Sequence, residues 1–228
     1  MQVADSQFRA KGPLGAFHNS QILISHWLLT LGLLLTGIGG AFLPWIWYDS
    51  VALQLTAPGL AEFVKFLPDV RLEQVQVQRL YFLLPLFVAS LGLPLFAANR
   101  RLLLPGWWRV ILRLAVVPLA LASLSPVWTP TVLISAEFRW QTLLAAVAIG
   151  LAITAPLFKR LPLGWLTTLL LVGGCIALIL PPWQFGLIQP AVAEAYHDTV
   201  ALSWGWQLTA GGIILSIISG FWASLQPH

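Results

Sequence analysis

Glu194, His197 and Asp198 come nearest, in type and spacing, to a set of residues that does chemistry. If residues 191–200 are helical, Glu194 shares a face with His197 at i+3 and Asp198 at i+4. Two carboxylates and an imidazole can hold a divalent cation, with Asp49, Glu62 or Glu137 completing the shell from neighbouring loops. A lone Glu-x-x-His is part of a di-iron ligand set, which needs two such motifs and further carboxylates. The competing reading is a solvated turn at the membrane surface. The same group could serve acid–base catalysis, with His197 or Asp198 as general base. No H-E-x-x-H, P-loop or ordered Ser-His-Asp set is present, and no cofactor can be named.

His26 lies near the start of the first apolar run, where a buried imidazole can ligate haem or relay protons. His18, His197 and His228 all fall outside the apolar runs, so no second intramembrane histidine pairs with it. A hydrogen-bonded packing histidine is the better reading. Arg109 and Arg113 are one helical turn apart, and Arg113 is about 12 Å along the axis beyond Pro105. With Arg100, Arg101, Lys159 and Arg160 they make a basic rim suited to anionic lipid headgroups or to an acidic partner. Gly32, Thr36 and Gly40, and Gly212, Ser216 and Gly220, recur at every fourth position. Small residues on one stripe let two helices approach closely, within the bundle or against a partner.

The elements that must carry these residues follow from composition. Of 228 residues 58% are hydrophobic and 9% charged, with mean hydropathy +0.84, against about 25% charged in a soluble domain. So much apolar surface needs a hydrocarbon solvent. Six apolar runs, near 21–47, 80–98, 108–127, 138–158, 163–182 and 203–224, each approach the ~20 residues that span a bilayer. The expected fold is all-α, a polytopic six-helix transmembrane bundle over residues 21–228 after a cytoplasmic segment 1–20. The net charge of +4 resides in inter-helix loops, which excludes a basic nucleic-acid-binding domain. The single Cys175 excludes an intramolecular disulfide.

With the N-terminus inside, eight basic residues fall in inner segments and four (Lys65, Arg71, Arg79, Arg139) in outer ones. That places both termini in the cytoplasm, in a membrane expected to be the bacterial inner membrane. Most tryptophans fall at helix ends, as interfacial belts require. Pro44-Trp45, Pro126-Val127-Trp128 and Pro182-Trp183 echo one another, as do the inner turns around Pro105-Gly106 and Pro162-Leu163-Gly164. Three tandem helical hairpins would explain the echo; so would the generic chemistry of helix ends.

The loop 49–79 has structure of its own. Leu60, Phe63, Val64 and Leu67 fall at i, i+3, i+4 and i+7 between Pro58 and Pro68, which predicts an amphipathic helix on the outer surface or capping the bundle. Val75 to Gln78 alternates like a strand or is an extended lead into the next helix.

The first functional reading is a non-catalytic membrane subunit or accessory of a larger complex, an export system being one setting. It rests on the lack of midplane carboxylates and of any soluble catalytic domain. Its partners would be the bilayer and other membrane subunits or further copies of the chain. A small-solute or lipid transporter is the alternative, because Pro85, Pro94, Pro118, Pro156 and Gly173-Gly174 interrupt the spans. A membrane enzyme acting on a lipid-linked substrate at the outer face is the third, using His197, Asp198, Glu62 and Asp49.

Overall fold

The computed structural model describes residues 13–48, 53–196 and 199–225. Among the described residues the fold is all-α apart from one small pair of strands. α1 (Pro13–Phe42) is followed by the antiparallel strands β1 (Ile46–Tyr48) and β2 (Leu53–Leu55), then by the short helices α2 (Ala57–Phe63) and α3 (Pro68–Arg71). A 3₁₀ turn, Arg79–Leu83, leads into α4 (Leu84–Ala98); α5 is Gly106–Ala122 and α6 the single turn Pro130–Leu133. α7 (Arg139–Thr154) runs into a 3₁₀ turn, Ala155–Phe158, and α8 (Leu163–Tyr196) and α9 (Trp204–Leu225) complete the chain. Among the described residues five helical segments are long and apolar enough to cross a membrane: Gln21–Phe42, Arg79–Ala98, Arg139–Phe158, Leu163–Glu194 and Trp204–Leu225. The protein therefore fits a multi-pass α-helical bundle.

Prolines punctuate the helices where φ and the missing N–H allow it. Pro44 stops α1, because the residue before a proline is pushed out of the helical region. Pro85 sits in the first turn of α4, where the N–H is unsatisfied in any case. Pro94 and Pro118 nevertheless lie inside α4 and α5, and α8 departs furthest from this pattern. The sequence predicts a stop at Pro181-Pro182, yet the helix continues through them and Pro190 to Tyr196. Packing overrides the local preference: Gln184, Phe185, Ile188 and Val192 of this extension are all buried.

Two cores result. One lies between the long helices, centred on Leu29, Leu33, Leu86, Leu93, Leu112 and Leu119. The other is a cap at one end, built on Trp45, Ile46, Leu60, Val64, Phe82 and Ile188. α2 contributes Leu60 to the cap and the 3₁₀ turn Val64–Phe66 that continues it contributes Val64, with Leu67 buried just beyond, as the periodicity predicts. Thr56 opens this helix by accepting a hydrogen bond from the Gly59 N–H at 3.3 Å. Residues 75–78 form no strand; they are the extended lead, and Gln184 Oε1 accepts from the Gln78 N–H at 2.8 Å. The β1–β2 pair is too short for alternation of apolar and polar residues in the sequence to mark it. It extends across the cap through an Ile46–Leu202 bridge, with Ser203 N–H donating to the Trp45 carbonyl at 2.6 Å. Trp45 is fully buried, its Nε1 donating to the Gly39 carbonyl at 3.1 Å, so it belongs to the core and not to an interfacial belt.

Candidate functional site

The relative direction of α4 and α7 organises the two ends of the bundle. At the cap, Arg79 just before α4 pairs with Glu137 just before α7. At the opposite end, the Arg100 N–H after α4 donates to the Lys159 carbonyl after α7 at 3.2 Å. The two helices are thus parallel, and each end has its own electrostatics.

The cap end carries a neutral clamp of two cations and two carboxylates. Lys65 Nζ lies 2.5 Å from Glu62 and 2.9 Å from Glu137. The Arg79 guanidinium contacts Glu137, lies 3.3 Å from Glu62 and donates to Gln141 Oε1 at 2.9 Å. Both cations stand over the Phe138 ring, at 4.9 and 4.3 Å from its centroid. Gln141 Nε2 in turn donates to the Ser123 carbonyl at the end of α5. Glu62 and Glu137, considered above as metal ligands, are here engaged by ammonium and guanidinium groups. Glu194 lies exposed in the last turns of α8, while Asp49, His197 and Asp198 lie outside the described residues. Among the described residues no three His, Cys, Asp or Glu side chains converge to hold a metal.

At the other end the structure joins two loops that the sequence presents separately. Buried Asn99 donates through Nδ2 to the Leu161 carbonyl at 3.0 Å and accepts from the Arg101 N–H at 2.9 Å. With the Arg100–Lys159 backbone bond, this gathers Arg100, Arg101, Lys159 and Arg160 into one rim. All five described acids (Glu62, Asp69, Glu73, Glu137 and Glu194) belong to segments at the opposite ends of the helices. Arg109 is turned inward, donating to the Leu104 carbonyl at 3.1 Å and the Leu102 carbonyl at 2.6 Å, and so closes the α4–α5 turn. Arg113 is partly buried one turn further into α5. His26 accepts from the Leu103 N–H through Nδ1 at 3.0 Å, which makes it a second brace of the same turn. Trp27, Trp107 and Trp108 cluster beside it, with ring centroids 5.1–6.3 Å apart.

The small-residue stripes meet between α1 and α9. A Cβ on Gly212 would sit 2.6 Å from the Gly32 carbonyl and 2.7 Å from the Thr36 nitrogen, and one on Gly32 would meet Ser216. Ser216 Oγ also lies 3.3 Å from the Leu29 carbonyl across the interface. Gly40 instead faces Leu86 of α4, and Gly220 faces Leu29, Thr167 and Leu170. The position beside Thr209 is held by Gly39, which the four-residue spacing did not single out.

Two grooves open laterally between the helices. α7 and α8 each pack on α4 but barely on each other. The gap is a groove of about 500 Å³ floored by α4, and every residue lining it is Leu, Ile, Val, Phe or Gly. Sequence inspection missed it because these helices are apolar all round, so no periodic signal separates a groove wall from a lipid-facing surface. A second groove, between α8 and α9, is lined by Thr167, Thr168 and Ser224 as well as aliphatic side chains. No family model, characterised protein or solved structure matches the chain.

Proposed function

We propose that this chain is a non-catalytic, multi-pass membrane protein that works by binding within the bilayer, as a subunit or accessory of a larger assembly such as a transport or export system. One observation carries the reading. Glu62, Lys65, Arg79 and Glu137 close on one another at the cap and His26 and Arg109 brace a turn, whereas the two grooves open laterally between helices, one lined wholly and the other mostly by apolar residues. Catalysis or ion coupling would call for polar groups aimed into an opening. The grooves and the exposed aliphatic faces of α8 and α9, among them Leu169, Ile179, Ile214 and Ile218, suit contact with lipid or with another membrane chain.

The topology we infer has six crossings, with both termini and the basic rim in the cytoplasm of a bacterial cell. Its support is the parallel placement of α4 and α7. The chain leaves α4 at the rim and enters α7 at the cap, so α5 must cover the same depth. Its 17 residues reach about 25 Å, within the span of a short transmembrane helix. Reporters fused after Arg101 and after His228 are expected to be cytoplasmic, and one after Thr129 extracytoplasmic. A cytoplasmic reading at Thr129 would reduce the count to five.

Purification from native membranes in mild detergent, followed by mass spectrometry, tests the subunit reading. A stoichiometric membrane partner is expected. A chain that travels alone, or as its own homo-oligomer with measurable solute flux in liposomes, would replace it with the transporter reading.

A further inference from the structure

We propose that the groove between α7 and α8 binds one anionic phospholipid, with an acyl chain laid along α4 and the phosphate at the Arg100, Arg101, Lys159 and Arg160 rim. This goes beyond the subunit reading and holds with or without a partner chain.

The groove's shape selects a chain-like occupant. Along α4 it runs from Leu84 to Phe96, about 18 Å at helical rise, close to the ~15 Å hydrocarbon depth of one leaflet. A groove of that length suits an extended acyl chain, and its wholly apolar lining makes no polar demand on one.

Charge selects the headgroup. Leu95 and Phe96, at one end of the lining, stand about one turn before Arg100, and Leu166 follows Arg160 by less than two turns. The groove therefore ends at the rim. There Arg100, Arg101 and Arg160 are exposed, and among the described residues none of the four cations has a carboxylate partner. Membrane orientation alone needs basic residues near the cytoplasmic face and nothing more. Here buried Asn99 and the Arg100–Lys159 bond hold two loops together, which brings the four cations onto one rim beyond the end of the groove lining. A phosphodiester placed there meets several donors while its chain fills the gap above.

The test is lipid retention. The purified protein is exchanged into mixed micelles of equimolar phosphatidylglycerol and phosphatidylcholine, repurified, and its bound lipid quantified by mass spectrometry. Retention of about one phosphatidylglycerol per chain, enriched at least fivefold over phosphatidylcholine, is expected. Val147→Trp with Leu169→Trp narrows the groove from two exposed wall positions and should cut retention at least fivefold. Arg100→Gln and Lys159→Gln should each lower the anionic preference about fivefold, with the chain still held. Retained lipid that mirrors the offered mixture would overturn the headgroup assignment. To guard against a misfolded variant, wild type is also photolabelled with phosphatidylglycerol carrying a diazirine in its acyl chain. Labels on Leu91, Val147 or Ile176 support the site; labels confined to other faces, or a neighbouring protein helix cross-linked in the groove, overturn it.

Discussion

Substituting Gly212 by alanine should separate α1 from α9 and destabilise the protein by about 2 kcal/mol. The new Cβ would sit 2.6 Å from the Gly32 carbonyl oxygen and 2.7 Å from the Thr36 nitrogen, where ordinary contact begins at 3.4 Å. Both neighbours are backbone atoms, so no rotamer change relieves the clash, and the helices must part by about 0.8 Å. A gap of that order forfeits a quarter to a half of each dispersion contact along the interface. It also strains the Ser216–Leu29 contact at 3.3 Å. Gly211 is the control, because a Cβ there meets nothing within 4 Å. Gly211→Ala removes only the entropic cost of glycine in a helix and should be neutral or stabilising by up to about 1 kcal/mol. The variants should therefore differ by about 2–3 kcal/mol, or roughly 5–10 °C in Tm for a chain of this size. Thermal unfolding in one detergent, followed by tryptophan fluorescence, reads the difference directly. Equal melting of the two variants would refute the claim that backbone proximity holds α1 to α9.

Three further outcomes rest on other parts of the structure. Glu73, at φ 59°, occupies the left-handed C′ position of a Schellman motif, with Gln74 N–H bonded to the Asp69 carbonyl and Glu73 N–H to that of Val70. Glu73→Gly should therefore stabilise by about 0.5–1 kcal/mol, seen as a higher melting temperature of the cap, and a loss would contradict this. In the clamp, Arg79→Met should cost about 2–3 kcal/mol because the guanidinium is largely buried, and Lys65→Met no more than about 1 because its ammonium is more exposed. Denaturant titrations that rank the pair in the opposite order would sink that assignment. His26→Leu leaves the Leu103 N–H without its acceptor, at a cost of about 1–3 kcal/mol. Hydrogen exchange should rise selectively in residues 99–105, whereas haem or metal ligation would be read from an absorption or elemental signal lost on the same substitution.

The class of the molecule was legible in the sequence because a bilayer imposes crude requirements: runs near 20 apolar residues, few charges, and basic residues in short loops. The cap helix was legible too, since Leu60, Val64 and Leu67 repeat at helical spacing on a half-polar segment. Glycine stripes announced close packing, but spacing alone could not choose between Gly39 and Gly40, because adjacent residues differ by only 100° around the axis. The rest was decided by tertiary structure. Local rules end α8 at Pro181, yet burial of Phe185, Ile188 and Val192 under the cap carries it to Tyr196. Lys65, Arg79, Glu62 and Glu137 are scattered over 76 positions and become one clamp only when α4 and α7 stand side by side. The groove left no trace in the sequence at all: in a hydrocarbon solvent its walls and the outer surface want the same residues, and only the gap between α7 and α8 distinguishes them.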